Sequence, residues 1–333
     1  MPLNIAVVGC TGMVGRKFLQ VLQERQVKAN YFLFASKKSA GSTINFMGKD
    51  HVVIELAKEN ILDKKIDIAL FSAGGSVSTE FAPIFANNGT IVIDNSSAWR
   101  MDPDVPLVVP EVNAEDILSI KKNIIANPNC STIQAMVALK PLDDKFGIKR
   151  VVYSTYQAVS GAGVAGFEDL KNGVNGEAPK KFPYPIFGNC IPQIDVFLEN
   201  GYTKEEEKMI NETKKILHRP DLKVTATTVR VPVFHGHSES INIELEKPCT
   251  KEQAIEVFKS AKGVIVQNDD SKLLYPMAIN AENHDEVYVG RIRQDFSVEN
   301  GLNIWVVADN IRKGAATNAV QIAEWIIEKG IVK

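Results

Sequence analysis

The chain is poor in cysteine, has no excess of charge of either sign and contains no long hydrophobic run. Its four cysteines, Cys10, Cys130, Cys190 and Cys249, are too few and too scattered for a disulfide framework, and none shows zinc-ligand spacing. The formal net charge is −2, whereas a dedicated nucleic-acid binder usually has a strong basic excess. No apolar run approaches the roughly 20 residues that cross a bilayer, and no secretory pattern opens the chain.

These absences predict a cytoplasmic protein in a reducing compartment, with no membrane or nucleic-acid partner and no metal site. At roughly 150 residues per domain, 333 residues predict two domains. The composition, 45% apolar and 23% charged, is that of an ordinary globular protein, most simply an enzyme.

Short apolar runs alternate with amphipathic runs over the first third of the chain, which predicts an α/β domain with a doubly wound parallel sheet. After Lys149 the chain becomes rich in strands and predicts a second, α+β domain with an antiparallel or mixed sheet and helices on one side. The predicted strands are residues 3–8, 31–35, 66–72, 90–94, 151–157, 223–233, 240–246, 286–293 and 302–308. The predicted helices include residues 79–87, 131–139, 204–217, 251–261 and 315–328.

Two further stretches carry predictions about organisation. Residues 161–188 hold many Gly and Pro residues with little periodicity, and we expect a long connection there. The last predicted helix has apolar residues on one face, and we expect it to return to the first domain.

Three glycines, Gly9, Gly12 and Gly15, follow the first predicted strand and open a helix. Glycines at this place allow a tight turn and a close approach of the backbone to a pyrophosphate, which the N–H groups of the helix start can bind. The spacing differs from the usual G-x-G-x-x-G, so a glycine cluster that serves only helix packing stays the alternative.

The end of the second predicted strand bears on the choice of cofactor. An NAD site usually has an acidic residue there, which binds the ribose 2′-hydroxyl. This chain has Ser36, Lys37 and Lys38, whose hydroxyl and ammonium groups would instead bind a 2′-phosphate. The residues favour NADP, while a solvated lysine pair and additional use of NAD stay open.

Cys130 stands immediately before an apolar helical run. The dipole and free N–H groups of a helix N-terminus stabilise a thiolate, and a thiolate can attack an aldehyde carbonyl. The other three cysteines have no such surroundings. From mechanism alone, a buried and inert thiol is an equal alternative for Cys130.

Eight segments together resemble the aspartate-semialdehyde dehydrogenase family, over essentially the whole chain. They are residues 9–15, 71–75, 94–100, 108–113, 127–132, 154–163, 229–240 and 305–314. The most specific are Pro128-Asn129-Cys130-Ser131-Thr132 and the run from Tyr156 to Gly163. The resemblance implies a Rossmann-like NADP-binding domain, residues 1–128 with 313–333. It also implies a catalytic and dimerisation domain, residues 129–312, like the C-terminal domain of glyceraldehyde-3-phosphate dehydrogenase.

The resemblance implies a reaction and an assembly as well. The reaction is the reversible, NADPH-dependent reduction of L-4-aspartyl phosphate to L-aspartate 4-semialdehyde and phosphate through a cysteine thioester. It belongs to the biosynthesis of lysine, threonine, methionine and isoleucine from aspartate, and a homodimer is expected. An N-acetyl-γ-glutamyl-phosphate reductase and a non-catalytic NADP-binding protein of the same fold stay as alternatives, with a glyceraldehyde-phosphate type of dehydrogenase as a weaker one.

The resemblance also implies three catalytic residues. Cys130 is the nucleophile, and Gln157 orients the substrate and the reacting thioester. His237 is the acid–base group that takes the thiol proton and assists the tetrahedral intermediate. His235 competes with His237 on sequence alone, and only the spacing from Arg230 selects His237. N–H groups at the helix start near Cys130 are expected to stabilise the oxyanion.

The substrate-binding residues implied by the resemblance are Arg230 for the α-carboxylate, Glu205 for the ammonium, and Arg100, Asn129 and Lys208 for the phosphate. We expect Arg230 and Glu205 to be unpaired in the pocket, so that substrates lacking a carboxylate or an ammonium are rejected. Without the resemblance, Arg230 would be a structural ion pair, Glu205 and Lys208 a solvated i,i+3 pair, and Arg100 a loop-anchoring cation.

The cofactor-binding residues implied in the same way lie in turns of both predicted domains. They are Gly9, Thr11, Gly12, Met13, Val14, Gly15, Ser36, Lys37, Lys38, Ser39, Ser72, Gly74, Ser160, Gly161, Gly163 and Asn310.

Overall fold

The computed structural model describes residues 3–332. The chain forms two compact units, Met1–Pro128 with Ala315–Lys333, and Asn129–Gly314. The predicted functional domains, 1–128 with 313–333 and 129–312, stay a proposal, and their limits at residues 1 and 333 lie outside the described residues.

The first unit is built on a six-stranded sheet in which every strand pairing is parallel. The strand order is β5-β2-β1-β6-β7-β8, and a separate antiparallel hairpin pairs β3 with β4. The strands are β1 (Asn4–Val8), β2 (Asn30–Ala35), β3 (Thr43–Phe46), β4 (Lys49–Val52), β5 (Ile54–Glu55), β6 (Ile68–Phe71), β7 (Ile91–Asp94) and β8 (Ile124–Ala126).

Helices cover both faces of this sheet, as the doubly wound pattern predicts. They are α1 (Met13–Glu24), α2 (Lys58–Leu62), α3 (Gly75–Asn87), α4 (Pro110–Asn113) and the last helix, α10 (Asn318–Glu328). One buried cluster joins α1, α10 and the strands, with Phe18, Ile322 and Ile5 among its members. On the other face, the ring of Phe85 in α3 packs edge-on against Phe34 and Phe71.

The second unit is built on a six-stranded mixed sheet of order β10-β9-β11-β14-β13-β12. The two edge pairings, β10 with β9 and β12 with β13, are parallel, and the others are antiparallel. The strands are β9 (Ile148–Gln157), β10 (Lys223–Arg230), β11 (His237–Leu245), β12 (Val264–Val266), β13 (Val287–Asp295) and β14 (Gly301–Ala308). The predicted combination of a parallel sheet with a mixed sheet is confirmed.

The helices of this unit are α5 (Cys130–Phe146), α6 (Gly163–Gly173), α7 (Lys204–Ile216), α8 (Lys251–Ser260) and α9 (Ala278–Ala281). Helix α5 is buried on nearly every side from Ser131 to Leu139 and contacts both α7 and α8. Tyr153 of β9 is hydrogen-bonded to Thr213 of α7 through their hydroxyls, at 2.9 Å. Among the described residues, no helix is long and apolar enough to cross a bilayer.

The expectation of a long connection over residues 161–188 is wrong for Gly163–Gly173, which form α6, whereas the described chain has no helix or strand from there to the start of α7. Helix α6 is glycine-rich and has a weak local signal. The helix packs closely against the turn before it, since a β-carbon at Gly166 would clash with Ala162 and the Val159 carbonyl. The Asp169 carboxylate accepts the backbone N–H groups of residues 180, 181 and 182 at 2.8–2.9 Å, which holds the following loop against the helix.

Other limits also differ from the prediction. Helix α5 runs seven residues past its predicted end at Leu139, through Pro141, and the buried side chains of Leu142 and Phe146, four residues apart on one helix face, anchor this extension. The predicted last helix starts later, at Asn318, after a π-helical turn over Arg312–Thr317. The polar hairpin β3–β4 carried no prediction, since its strands are short and largely exposed.

We predict that Gly15→Ala destabilises the first unit by about 1–3 kcal/mol, the usual cost of overpacking. A β-carbon at Gly15 would lie 2.0 Å from the carbonyl oxygen of Gly9, which is rigid backbone. Gly12→Ala is the matched control, since its β-carbon meets the same oxygen at 3.4 Å. Thermal unfolding without cofactor measures both variants, and equal melting temperatures would contradict the prediction.

Candidate active site

Cys130 is the first residue of α5, and the asparagine before it caps the helix. The Asn129 Oδ1 accepts the backbone N–H groups of Ser131 at 3.0 Å and Thr132 at 3.3 Å. The placement of Cys130 at a helix start is therefore confirmed. The N–H groups of Ser131 and Thr132 are bound to this cap, and the stabilisation of an oxyanion by N–H groups at the helix start stays a prediction.

The other polar groups of Asn129 bind two carboxylates of α7. Its Nδ2 donates to Glu205 Oε1 at 2.8 Å, and its backbone N–H donates to Glu212 Oε2 at 2.7 Å. All three side chains are buried, with at most 6% exposed. Asn129, the residue before the nucleophile, is thus hydrogen-bonded to the start of α5 and to two side chains of α7.

Gln157 lies at the end of β9 and has both ends of its amide fixed. Its Nε2 donates to Glu205 Oε1 at 3.1 Å, and its Oε1 accepts the Thr155 hydroxyl at 3.0 Å. Glu205 therefore connects the residue before Cys130 with Gln157. The structure thus brings together three predicted site residues, Asn129, Gln157 and Glu205.

The main chain of Ala158 orients two more predicted residues. Its N–H donates to His237 Nδ1 at 3.0 Å, and its carbonyl accepts Arg230 Nη1 at 2.7 Å. Gly161 lies against both side chains, since a β-carbon there would stand 2.8 Å from Arg230 Nη1 and 3.1 Å from His237 Nε2. The main chain of one residue thus places the guanidinium beside the imidazole.

Arg230 is buried and keeps unused hydrogen-bonding capacity. Within residues 3–332, its Nε has no hydrogen-bond partner and no carboxylate forms an ion pair with it. Burial lowers the pKa of Arg230, while the charges of Glu205 and Cys130 act to raise it. Since the side chain forms no structural ion pair in this part of the chain, that alternative is wrong. Its free donors suit an incoming carboxylate.

The sequence led us to expect an unpaired Glu205, but the structure shows that this carboxylate is paired. Its Oε2 accepts Lys208 Nζ at 3.0 Å, and Lys208 also donates to Asp195 at 2.9 Å. Burial alone would raise the pKa of Glu205, but Lys208, Asn129 and Gln157 together hold it below its usual value. The i,i+3 pair therefore exists, but the Glu205 side chain is buried, so the pair is not a solvated one.

The four thiols differ in environment. Cys130 is half-buried, whereas Cys10 and Cys249 are buried and Cys190 is exposed. Burial raises the pKa of both Cys10 and Cys249 to about 11, so these thiols stay protonated at neutral pH.

Predicted cofactor residues of the first unit lie after three neighbouring strands, β2, β1 and β6. Gly9 has a φ of +83°, and a β-carbon there would stand 2.3 Å from the Ser72 carbonyl oxygen. Helix α1 begins after Gly12 and α3 begins after Gly74, and neither helix start has a side-chain cap. Two uncapped helix starts at adjacent strand ends fit a dinucleotide pyrophosphate.

The turn after β2 carries the residues that favour NADP. Ser36, Lys37 and Lys38 are exposed, and the N–H of Ser39 closes the turn on the Ser36 carbonyl at 2.9 Å. The two ammonium groups are therefore accessible to a phosphate, while the solvated pair stays the alternative.

In the second unit, Ser160 and Asn310 form one hydrogen-bonded pair. Asn310 Nδ2 donates to Ser160 Oγ at 3.1 Å, and Asn310 Oδ1 accepts the N–H of Gly236 at 3.0 Å. Both side chains are buried. They are joined to the loop that precedes His237.

Arg100 lies in the first unit, where it binds backbone carbonyls. Its Nε donates to Asn127 and its Nη2 donates to Asn95, each at 3.0 Å. The loop-anchoring role left open by the sequence is therefore present, and the phosphate-binding role stays a prediction.

Sequence reasoning missed three residues near this site. Glu212 binds the backbone before Cys130, and its spacing of seven from Glu205 on one helix face could have pointed to it. Gly314 lets the chain pass close to the nucleophile, since its β-carbon would stand 2.9 Å from Cys130 Cβ. Glu239 is a fully buried acid on β11, and nothing local in the sequence marks it as buried.

Glu239 faces the same side of the sheet as His237 and stands opposite Thr155 of β9. Within the described chain, neither of its carboxylate oxygens has a hydrogen-bond partner. Burial raises the pKa of Glu239 well above its usual value. Burial without a hydrogen-bond partner therefore favours the protonated form of this side chain.

Two family matches define the class of protein. Residues 4–120 match the semialdehyde dehydrogenase NAD binding domain, and residues 139–313 match the semialdehyde dehydrogenase dimerisation domain. The chain therefore has the two domains of a semialdehyde dehydrogenase, one of which binds a nicotinamide dinucleotide.

Individual relatives narrow this class. The chain is 60% identical to an aspartate-semialdehyde dehydrogenase from Aquifex aeolicus, over the full length of both chains. It resembles a crystal structure of aspartate semialdehyde dehydrogenase II from Vibrio cholerae complexed with ASA, at a TM-score of 0.95 and 47% identity over 99% of each chain. It also resembles a crystal structure of aspartate semialdehyde dehydrogenase with NADP from Candida albicans, at a TM-score of 0.78 and 27% identity over 100% of each chain. The chain belongs to the aspartate-semialdehyde dehydrogenase family.

We predict that Glu239→Gln becomes increasingly stabilising, relative to the unchanged protein, as the pH rises from the acid range towards neutrality. The folded-state pKa of Glu239 is raised, so its contribution to stability is present below the unfolded pKa of about 4.3 and is lost as pH rises towards the folded value. Thermal unfolding across this range measures the difference.

Glu244→Gln, on the same strand, is the control with the opposite sign. The hydrogen bond from Lys149 lowers the pKa of Glu244, so this carboxylate stabilises the fold above its unfolded pKa. The Glu239 prediction would be contradicted by a melting-temperature difference that does not change with pH.

Proposed function

We propose that the protein interconverts L-4-aspartyl phosphate and L-aspartate 4-semialdehyde, with NADP as the cofactor and phosphate as product or co-substrate. The observation that carries the proposal is the arrangement of an arginine with free donors and a buried carboxylate around the residues that hold Cys130. Arg230 and Glu205 together match the carboxylate and ammonium of an α-amino acid. An N-acylated substrate lacks the ammonium, so the N-acetyl-γ-glutamyl-phosphate alternative is disfavoured.

The paired state of Glu205 refines how the amino group is recognised. Three donors already bind this carboxylate, which leaves acceptor capacity on Oε2 beside Lys208. The substrate ammonium would therefore join an existing network. The substrate carboxylate would bind the Nε and remaining N–H groups of Arg230, which Ala158 holds in place.

In the proposed mechanism, the Cys130 thiolate attacks the acyl carbon of aspartyl phosphate. A tetrahedral intermediate forms, the carbonyl re-forms as phosphate leaves, and a thioester remains on Cys130. A nicotinamide cofactor, when bound, would supply the hydride that reduces the thioester to the aldehyde, and Cys130 would return to the thiolate. Gln157 orients the acyl group through its amide, which Glu205 and Thr155 fix.

We propose that the cofactor is held by Gly9, Thr11, Gly12, Met13, Val14, Gly15, Ser72 and Gly74 in the first unit, and by Ser160, Gly161, Gly163 and Asn310 in the second. Ser36, Lys37, Lys38 and Ser39 would bind the 2′-phosphate of NADP. The accessible ammonium groups of the turn support NADP over NAD. Arg100, Asn129 and Lys208 would bind the substrate phosphate.

We also propose a cytoplasmic homodimer formed through the open face of the second sheet. This face carries a groove of about 570 Å³ whose lining includes Tyr156 and the half-buried Trp305. The Tyr156 side chain is 40% exposed, and its ring centroid lies 5.3 Å from that of Trp305 in a tilted arrangement. The match to a dimerisation domain supports a second copy of the chain as the occupant.

The proposed function predicts that purified protein forms NADPH from aspartate semialdehyde, NADP and phosphate, with a lower rate when NAD replaces NADP. Cys130→Ser should abolish the reaction, because a hydroxyl is a far weaker nucleophile than a thiolate. Cys190→Ser is the matched control and should retain full activity, since this thiol is exposed and outside the site. Absorbance of NADPH measures all arms, and no turnover by well-folded protein would overturn the proposal.

The proposed function also predicts that Glu205→Ala raises the KM for aspartate semialdehyde by roughly 10-fold to 100-fold. This factor corresponds to the loss of a hydrogen bond to a charged group, which contributes about 1.5–3 kcal/mol. NADP binding should change little. Glu207→Ala is the control, because the Glu207 carboxylate accepts hydrogen bonds from the amides of Asn200 and Asn211, which are not site residues. Steady-state kinetics and NADP titration measure both variants, and an effect on Glu207 alone would reassign the substrate contact.

A further inference from the structure

The Lys208 ammonium lies between two carboxylates. Its Nζ donates to Glu205 Oε2 at 3.0 Å and to Asp195 Oδ2 at 2.9 Å. Within the described chain these are its hydrogen-bond partners, and an ammonium has three N–H donors, so one donor is left for a ligand. The lysine that is proposed to bind the substrate phosphate is therefore outweighed by negative charge before any phosphate arrives.

Both carboxylates are ionised at neutral pH. Burial acts to raise the pKa of Asp195 and of Glu205, but Lys208 is the main partner that holds each pKa below its usual value. Burial also acts to lower the pKa of Lys208, and the two carboxylates hold it above its usual value. Lys204 is the other cation that acts on Asp195. The group therefore has two negative charges around one positive charge in the folded protein.

Glu205 alone is sufficient to place the Lys208 ammonium. The Glu205 side chain is 6% exposed, and its other oxygen, Oε1, accepts Asn129 Nδ2 at 2.8 Å and Gln157 Nε2 at 3.1 Å. It lies three residues before Lys208 on α7, the spacing at which side chains of one helix face meet. Because this pair is fixed without Asp195, the effect of Asp195 on Lys208 is chiefly one of charge.

The backbone holds Asp195 beside Lys208 in a conformation that few residues adopt. Its φ is +69°, in the left-handed region, where Asp and Asn are the best tolerated residues after Gly. Its Oδ1 accepts the N–H of Val196 at 3.0 Å, and the Val196 carbonyl accepts the N–H of Lys204, the first residue of α7, at 2.9 Å. The segment that carries Asp195 is thus tied to the helix that carries Lys208.

A phosphate bound at Lys208 would meet the Asp195 carboxylate as well. Asp195 Oδ2 is hydrogen-bonded to the same ammonium, so a phosphate on the remaining donor would stand close to it. Like charges at short distance repel each other. The Asp195 side chain is 33% exposed, so water and salt screen this repulsion without removing it. The carboxylate therefore opposes the binding of the anion that Lys208 attracts.

We propose that Asp195 weakens phosphate binding at Lys208: its carboxylate pairs with the ammonium in the empty site and repels the phosphate in the filled site, so that phosphate leaves readily. The inference rests on the proposed function, in which Lys208 binds the phosphate. Asp195 acts through Lys208 and is not a catalytic residue. In the direction of aspartyl-phosphate reduction, where phosphate is the product, the consequence is weak product inhibition.

The first test is the kinetics of Asp195→Asn, which keeps an oxygen acceptor for Lys208 and removes the charge. The KM for phosphate in the oxidative direction should fall about 3-fold to 10-fold, the effect of one partly screened charge. The inhibition constant of phosphate in the reductive direction should fall by a similar factor. Loss of a merely structural residue would raise the KM for phosphate, so a raised or unchanged KM would overturn the inference.

Two further variants separate the charge of Asp195 from the strain of its backbone and from the net charge of the protein. Asp195→Gly removes the carboxylate and relieves the positive φ, and should lower the KM for phosphate as Asp195→Asn does. Glu207→Gln is the matched control, because it removes one negative charge from the first turn of α7 and should leave this KM unchanged. A rise in Asp195→Gly, or an equal fall in Glu207→Gln, would overturn the inference.

Phosphate binding can also be measured without turnover. A ligand that binds only the folded state raises the melting temperature as its concentration rises. At constant ionic strength, inorganic phosphate should begin to raise the melting temperature at a lower concentration in Asp195→Asn than in the unchanged protein, and Lys208→Ala should abolish this rise. Equal responses in the first two proteins, or a response that persists in Lys208→Ala, would overturn the inference. A well-folded protein without turnover would instead count against the proposed function, so the two failures are distinguishable.

Discussion

The hydrogen bonds of Asn129 determine how the reactive part of the second unit is arranged. Its side-chain carbonyl caps α5, its amide binds Glu205, and its backbone N–H binds Glu212. Each contact satisfies a buried polar group that would otherwise cost free energy. Because all three converge on the residue before Cys130, the position of the nucleophile depends on the packing of α7 as much as on α5.

Glu205 and Ala158 extend this arrangement to the rest of the site. Glu205 joins Asn129 to Gln157, while the main chain of Ala158 binds His237 with its N–H and Arg230 with its carbonyl. The main chain of one residue has one donor and one acceptor, so it can orient an imidazole and a guanidinium simultaneously without being charged itself. The result is a site in which the positions of a cation, a carboxylate and an imidazole are set by the protein's own hydrogen bonds.

Much of the fold was predictable because its signals are local. Apolar runs that end in glycine predicted the parallel strands, and the amphipathic pattern predicted α1, α7 and α8. The errors lie where tertiary contacts outweigh local preference. Helix α6 is glycine-rich, but its Asp169 binds the loop that follows it, and α5 continues through Pro141 because Leu142 and Phe146 are buried. The paired state of Glu205 was missed since Lys208 looked like a surface partner.

The sequence by itself determined the family, the alternation of strands and helices, the glycine turn after β1 and the placement of Cys130 at a helix start. Those features follow from residue types and spacings within short segments. Only the tertiary structure decided that Glu205 binds Asn129 and Gln157 and that His237 Nδ1 accepts the Ala158 N–H. These bonds join residues far apart in the chain, and they depend on the register of β9 with β11 and on the packing of α7, which no local pattern specifies.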